Sequence, residues 1–161
     1  RGSRIQLHWT NSRSQHSVDG PRHDYAVSRN SMTIKRRNDW PERLAAYFEA
    51  NRDTPFEFGV HDCGLFACGA VDAMAGTTLA SELRGQYQDA DGERSALEAI
   101  VRVCGIPAIP VKMARRGDIA LCETSEGMTV MVVDGPLAYG PGELGIRTIP
   151  LSQCIAAWRI G

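Results

Sequence analysis

Along residues 39–161, apolar positions first recur at helical spacing and then at strand spacing. The first stripe is Trp40, Leu44, Tyr47 and Phe48, which predicts a helix. Asp39 stands at its start as a candidate cap. Pro41 lies in its first turn and Glu42 three residues after Asp39, as in a capping box. Asn51 to Thr54 end the stripe before Pro55, and FEFG (56–59) reads as a short extended piece closed by glycine. Asp62 is placed to cap a second helix reaching Ala75, with Gly76 as its stop. Leu65, Phe66, Val71 and Met74, with small residues between them, make that helix apolar nearly all round, so it should lie buried at the centre. A third helix is predicted from Glu93 to Cys104, with Ala96, Leu97, Ile100, Val101 and Cys104 inward and Gly105 ending it.

The pattern then changes period. Pro107 and Pro110 interrupt the chain. Arg115-Arg116-Gly117-Asp118 leads into a strand at Ile119–Cys122, with Asp118 expected to fix the turn that opens it. Met128–Val133 is a second strand, closed by the hairpin-type turn Asp134-Gly135. Further strands are expected near Leu137–Tyr139, Ile146–Ile149 and Ala156–Ile160. Helices followed by a run of short strands define an α+β domain. Trp40 and Trp158 are expected as core anchors, and Tyr139 as a packed strand residue.

Charge divides the chain. Residues 1–38 hold eight Lys/Arg against two Asp; residues 39–161 hold ten against seventeen acidic residues. A basic arm, 1–38, therefore precedes an acidic domain, 39–161. The arm lacks periodicity and aliphatic content, and could not bury enough surface to order itself alone. It is expected to be extended and to dock on a partner. Met32 resembles a natural start, so residues 1–31 are either non-native or partner-bound on this reading. No apolar run is long enough to cross a bilayer, and no secretory leader is expected. Five scattered cysteines without zinc spacing predict no metal or other cofactor and mostly reduced, buried thiols, as in a protein made in a reducing cytosol. The acidic domain and the absence of a base-stacking motif argue against nucleic acid as a partner.

Candidate chemistry centres on His61-Asp62-Cys63. A cysteine in the first turn of a buried helix meets unpaired N–H groups and partial positive charge, which favour thiolate and could stabilise an oxyanion. The plainer reading makes Cys63 a small core residue. His61 is either a base for it or a group bonded to the turn, and adjacent turn positions usually point apart. Asp62 reads as the helix cap before it reads as a catalytic acid.

The segment FEFGVHDCGLFACGAVDAMAG, the later ARRGDIALCE, the front DWPERLAAYFEA and the closing PLSQCIAAWRI together resemble NlpC-type papain-like cysteine peptidases, in the branch carried by phages and prophages among tail genes. The resemblance implies a papain-like fold, with helices packed on a small antiparallel sheet and Cys63 at the nucleophile position. It implies peptidoglycan peptides as substrate for active relatives, or a place in a tail-tip (baseplate or hub) assembly of the virion, reached after synthesis in the bacterial host cytoplasm. Other tail-tip or hub proteins, met through the basic arm, are the partners it suggests. One departure stands out. Active relatives place a histidine at the start of the strand after the Gly-Asp strand, where Met128 stands here, and no histidine follows His61. The others, His8, His16 and His23, lie in the arm. Without such a base, cysteine catalysis lacks its proton carrier. The sequence thus favours an assembly protein on this scaffold over a cysteine hydrolase with an unorthodox base.

Overall fold

A computed structural model describes residues 33–161; the rest of the arm, with its three histidines and its expected partner contacts, lies outside the described residues. Four helices, α1 (Trp40–Asn51), α2 (Cys63–Ala75), α3 (Leu79–Leu83) and α4 (Ala90–Val103), precede a six-stranded sheet. Its strands are β1 (Ala108–Ile109), β2 (Ile119–Thr124), β3 (Gly127–Asp134), β4 (Leu137–Gly142), β5 (Gly145–Pro150) and β6 (Cys154–Trp158). The order across the sheet is β1-β6-β2-β3-β4-β5, and every pairing is antiparallel. The class is α+β.

Helix α2 is apolar around its circumference because it is covered on several sides. It packs on α1, α3, β3 and β4, and eight of its residues, from Gly64 to Met74, are buried. Small residues set the spacing. A Cβ at Gly69 would sit 2.5 Å from the Tyr47 hydroxyl. The bare backbone lets that hydroxyl donate to the Phe66 carbonyl at 2.9 Å. Phe48 then stacks between Phe66 (6.1 Å) and Tyr139 of β4 (5.0 Å), linking α1 to the sheet. Gly76 ends α2 at φ 73°, a left-handed conformation that costs glycine little.

The sheet is buried on both faces. Ile119, Val132 and Ile160 join the helical core. Ala120, Cys122, Met131, Val133, Ala138, Cys154 and Ala157 form a second cluster on the opposite face. That face is closed by Ile109, Val111, Ala114, Ile149 and Leu151, drawn largely from two single-turn 3-10 helices (Val111–Met113 and Leu151–Gln153) and their flanks. Two-sided burial explains why β3 carries the run Val130-Met131-Val132-Val133 instead of alternating apolar and polar residues.

Asp118 is wholly buried and does more than open a strand. Its carboxylate pairs with Arg36 at 2.8 Å and Arg159 at 3.0 Å. It also accepts from the backbone N–H of Arg115 (2.8 Å) and Ile160 (3.2 Å). Arg36 belongs to the segment expected to be an extended arm docked on a partner. Yet Ile34 is buried, Arg37 N–H donates to the Met74 carbonyl at 2.8 Å, and the Arg36 guanidinium lies 4.3 Å above the Trp40 ring. The packed body therefore includes Ile34, Arg36 and Arg37, upstream of Asp39. Arg116 is held too, 3.1 Å from Asp134.

Several elements differ from the expectations of the sequence. Asp39 makes no cap bond; its carboxylate takes Arg43 at 2.8 Å instead. The third predicted helix starts earlier, at Ala90, because Asp89 caps it by accepting from Gly92 N–H at 2.7 Å. Helix α3 has no counterpart among the predicted elements: Asp72 holds its start, accepting from Leu79 and Ala80 N–H at 2.7 and 2.9 Å. FEFG is a turn with a single bridge, Glu57 to His61. The last strand covers Cys154–Trp158 and stops before Ile160, whose N–H turns to Asp118. Two cysteines expected as thiols, Cys122 and Cys154, are disulfide-bonded. They face each other across β2 and β6 with Cα atoms 4.0 Å apart, a juxtaposition that spacing along the chain does not reveal. Cys63, Cys68 and Cys104 are free.

Asp118→Ala should lower unfolding free energy by about 3 kcal/mol, since it leaves two guanidiniums without their shared partner; an unchanged denaturation midpoint in urea would refute this role. Thiol titration of unfolded, unreduced protein should count three thiols, and five would remove the disulfide.

Candidate active site

The amino end of α2 is built from buried carboxylates. Asp62, wholly buried, caps the helix through Leu65 N–H at 2.9 Å. Its second oxygen accepts from Gly59 N–H at 2.7 Å and from the Tyr87 hydroxyl at 2.6 Å. These bonds hold the turn to the helix, and none of them involves a reacting group. Burial, with the bond to Asp62 next, pushes the Tyr87 hydroxyl well above its ordinary range.

Cys63 is the first residue of α2 and half-buried. Glu93 of α4, itself buried, reaches over it: one oxygen, Oε1, lies 3.1 Å from Cys63 Sγ and accepts from Gly64 N–H at 2.8 Å. The approach needs glycine at position 64, where a Cβ would lie 2.7 Å from that oxygen. The Val130 backbone and the Thr129 side chain of β3 favour the thiolate, against burial and Glu93. Met128, at the position expected from the sequence, is 38 % exposed and lines the same cavity as Cys63, and its neighbour Thr129 is buried. Neither side chain is a proton carrier at neutral pH.

His61 does not serve the sulfur. Its ring stands edge-on to Phe66, 5.8 Å between centroids, and its Nε2 has no hydrogen-bond partner among the described residues. Its backbone closes the turn, His61 N–H donating to the Glu57 carbonyl at 2.7 Å. Burial holds the imidazole below its usual pKa, partly offset by Asp62 and reinforced by Arg84. It is a neutral group packed on α2.

Magnitudes decide the state of Cys63. A helix terminus favours an anion by about 0.3–1 kcal/mol, and up to ~2 in good geometry. A carboxylate at roughly 4 Å disfavours a second negative charge by about 4 kcal/mol at an effective dielectric of ~20, and burial adds to it. The thiol is accordingly pushed up to about 12, by burial first and by Glu93 second. Burial also raises the Glu93 carboxyl, against the bonds from Cys63 and Gly64. Three N–H groups of this terminus are occupied: Gly64 by Glu93, Leu65 by the Asp62 side chain and Phe66 by the Asp62 carbonyl at 2.9 Å. No group of three or more His, Cys, Asp or Glu among the described residues could hold a metal ion.

Glu93 is the functional-site residue that sequence reasoning misses. The periodicity marks it only as the start of a helix, and its 30-residue separation from Cys63 leaves no local signal. The one clue is Gly64, a glycine inside a buried helix where alanine would have served.

The class of protein defined here is an α+β domain with a shielded thiol at the amino end of its central helix, held by a carboxylate from a neighbouring helix. Residues 35–160 match a family described as "Domain of unknown function (DUF6950)", and the chain belongs to that family. Among curated proteins, none matches the chain.

Glu93→Gln should bring the Cys63 pKa down by about one unit or more and speed its iodoacetamide labelling at pH 8 by roughly tenfold; an unchanged rate would refute the repulsion. The same variant tests linkage. A carboxyl whose pKa is raised on folding binds more protons in the native state, so stability falls as pH rises from the unfolded value of about 4.3 through the raised one. Urea midpoints of the wild type should fall over that window relative to Glu93→Gln, and parallel pH profiles would contradict the raised carboxyl.

Proposed function

We propose that this chain is a non-hydrolytic assembly protein of a phage tail tip, built on an NlpC-like, papain-type scaffold whose reaction centre has been converted into a structural joint. The observation that carries the reading is the position of Glu93 Oε1 on both Cys63 Sγ and Gly64 N–H. That single oxygen helps to raise the thiol pKa and occupies an N–H group that an oxyanion could use, so the structural use of this helix terminus opposes the catalytic one. The order of elements, with a cysteine-headed buried helix ahead of an antiparallel sheet, agrees with the scaffold that the sequence resemblance implies. The phage-tail setting rests on that resemblance. No helix among the described residues is long and apolar enough to cross a membrane, and tail proteins are the partners expected.

The reading is tested on purified peptidoglycan. Wild type and Cys63→Ser should leave the turbidity of a cell-wall suspension equally unchanged, and antibody to the chain should label tail tips of assembled particles. Turbidity loss with wild type that is absent with Cys63→Ser would replace this reading by the hydrolase one.

A further inference from the structure

Helix α4 touches the rest of the molecule mainly through α2 and α3, and between it and the sheet lies a groove. Its volume is about 850 Å³. It is lined by Cys63 and Glu93, by the side of α2 bearing Ala67 and Val71, and by Leu121, Val130 and Trp158. It runs along α2 rather than across the helix terminus, so most of it lies apart from the site described above. Its lining is mainly aliphatic, while its rim is acidic. Asp91 and Glu98 stand on the α4 side and Glu123 and Glu126 at the β2–β3 turn, against Arg94 and Arg102. Asp91 is paired with Arg94, and Glu126 with Arg147. Glu98 and Glu123 are exposed and have no ion-pair partner within the described residues. Ile155 (54 % exposed) and Met128 (38 %) add apolar surface at the mouth.

We infer that this groove is the docking site for a segment of a partner protein with an apolar centre and Lys or Arg on its flanks. The apolar floor would bury aliphatic side chains. The carboxylates of Glu98 and Glu123 at the mouth would meet the flanking cations and discourage fatty acids, phosphate groups and acidic peptides. The inference deepens the assembly reading by naming the chemistry of the partner, and it rests on that reading only in requiring that the bound segment is not cut.

Panning a random peptide library against the immobilised full-length chain tests it, because such a library samples the chemistry of the partner directly. Enriched peptides should combine an apolar core with net positive charge. Their affinity should fall by about tenfold or more in Val101→Arg, which fills the groove, and by several-fold in the surface variant Glu98→Lys/Glu123→Lys. Both variants are checked for fold by circular dichroism, and the charge variant, being wholly superficial, keeps the test decisive if Val101→Arg misfolds. No enrichment, or peptides whose binding ignores the charge variant, would overturn the docking site while leaving the assembly reading intact. Mass spectrometry of the bound peptides separates the other failure: intact peptides are expected, and cleavage lost in Cys63→Ser would overturn the assembly reading.

Discussion

The interaction on which the centre of this molecule depends is the burial of carboxylates against the amino end of α2. A helix that is apolar on every side must be enclosed, and enclosing it takes its orphan N–H groups away from water. Asp62 and Glu93 resolve the conflict between them. Asp62 ties the incoming turn and Tyr87 to the helix, and Glu93 brings α4 onto it. The same arrangement fixes the chemistry of Cys63. A terminus satisfied by two of the protein's own carboxyl groups has little capacity left to stabilise a further anion, so the thiol next to it stays protonated.

A second buried anchor, Asp118, performs the corresponding task at the other side of the core. It joins the start of β2 to the chain's end and to the segment preceding α1 through Arg36, Arg159 and Ile160 N–H. Removing either partner of such a group leaves a desolvated charge, which is why these contacts constrain the fold more strongly than exposed ion pairs such as Arg43 with Asp39. The two anchors lie near opposite ends of α2, Asp62 as its cap and the Gly117-Asp118 turn against Met74.

How much of this is legible in the sequence can be followed residue by residue. The stripe Trp40–Phe48, the all-apolar α2 with Asp62 before it and Gly76 after it, and the β-branched run in β3 each carry their period or their caps locally, and each element forms near where it is expected. Helix α3 leaves no such trace because its start is held by Asp72, several residues upstream and in another helix. The disulfide leaves none because Cys122 and Cys154 meet only through strand register.

By itself, then, the sequence determined the class of fold, the burial of α2 and the placing of Cys63 at its amino end, because helical period, caps and glycine stops act over a few residues. It also showed that residues 64–161 hold no histidine. Only the tertiary structure decided that Arg36 belongs to the core and that Glu93 lies on the thiol. Those outcomes depend on where the segment before α1 folds back and how far a separate helix reaches across, and neither is written in the spacing of one segment.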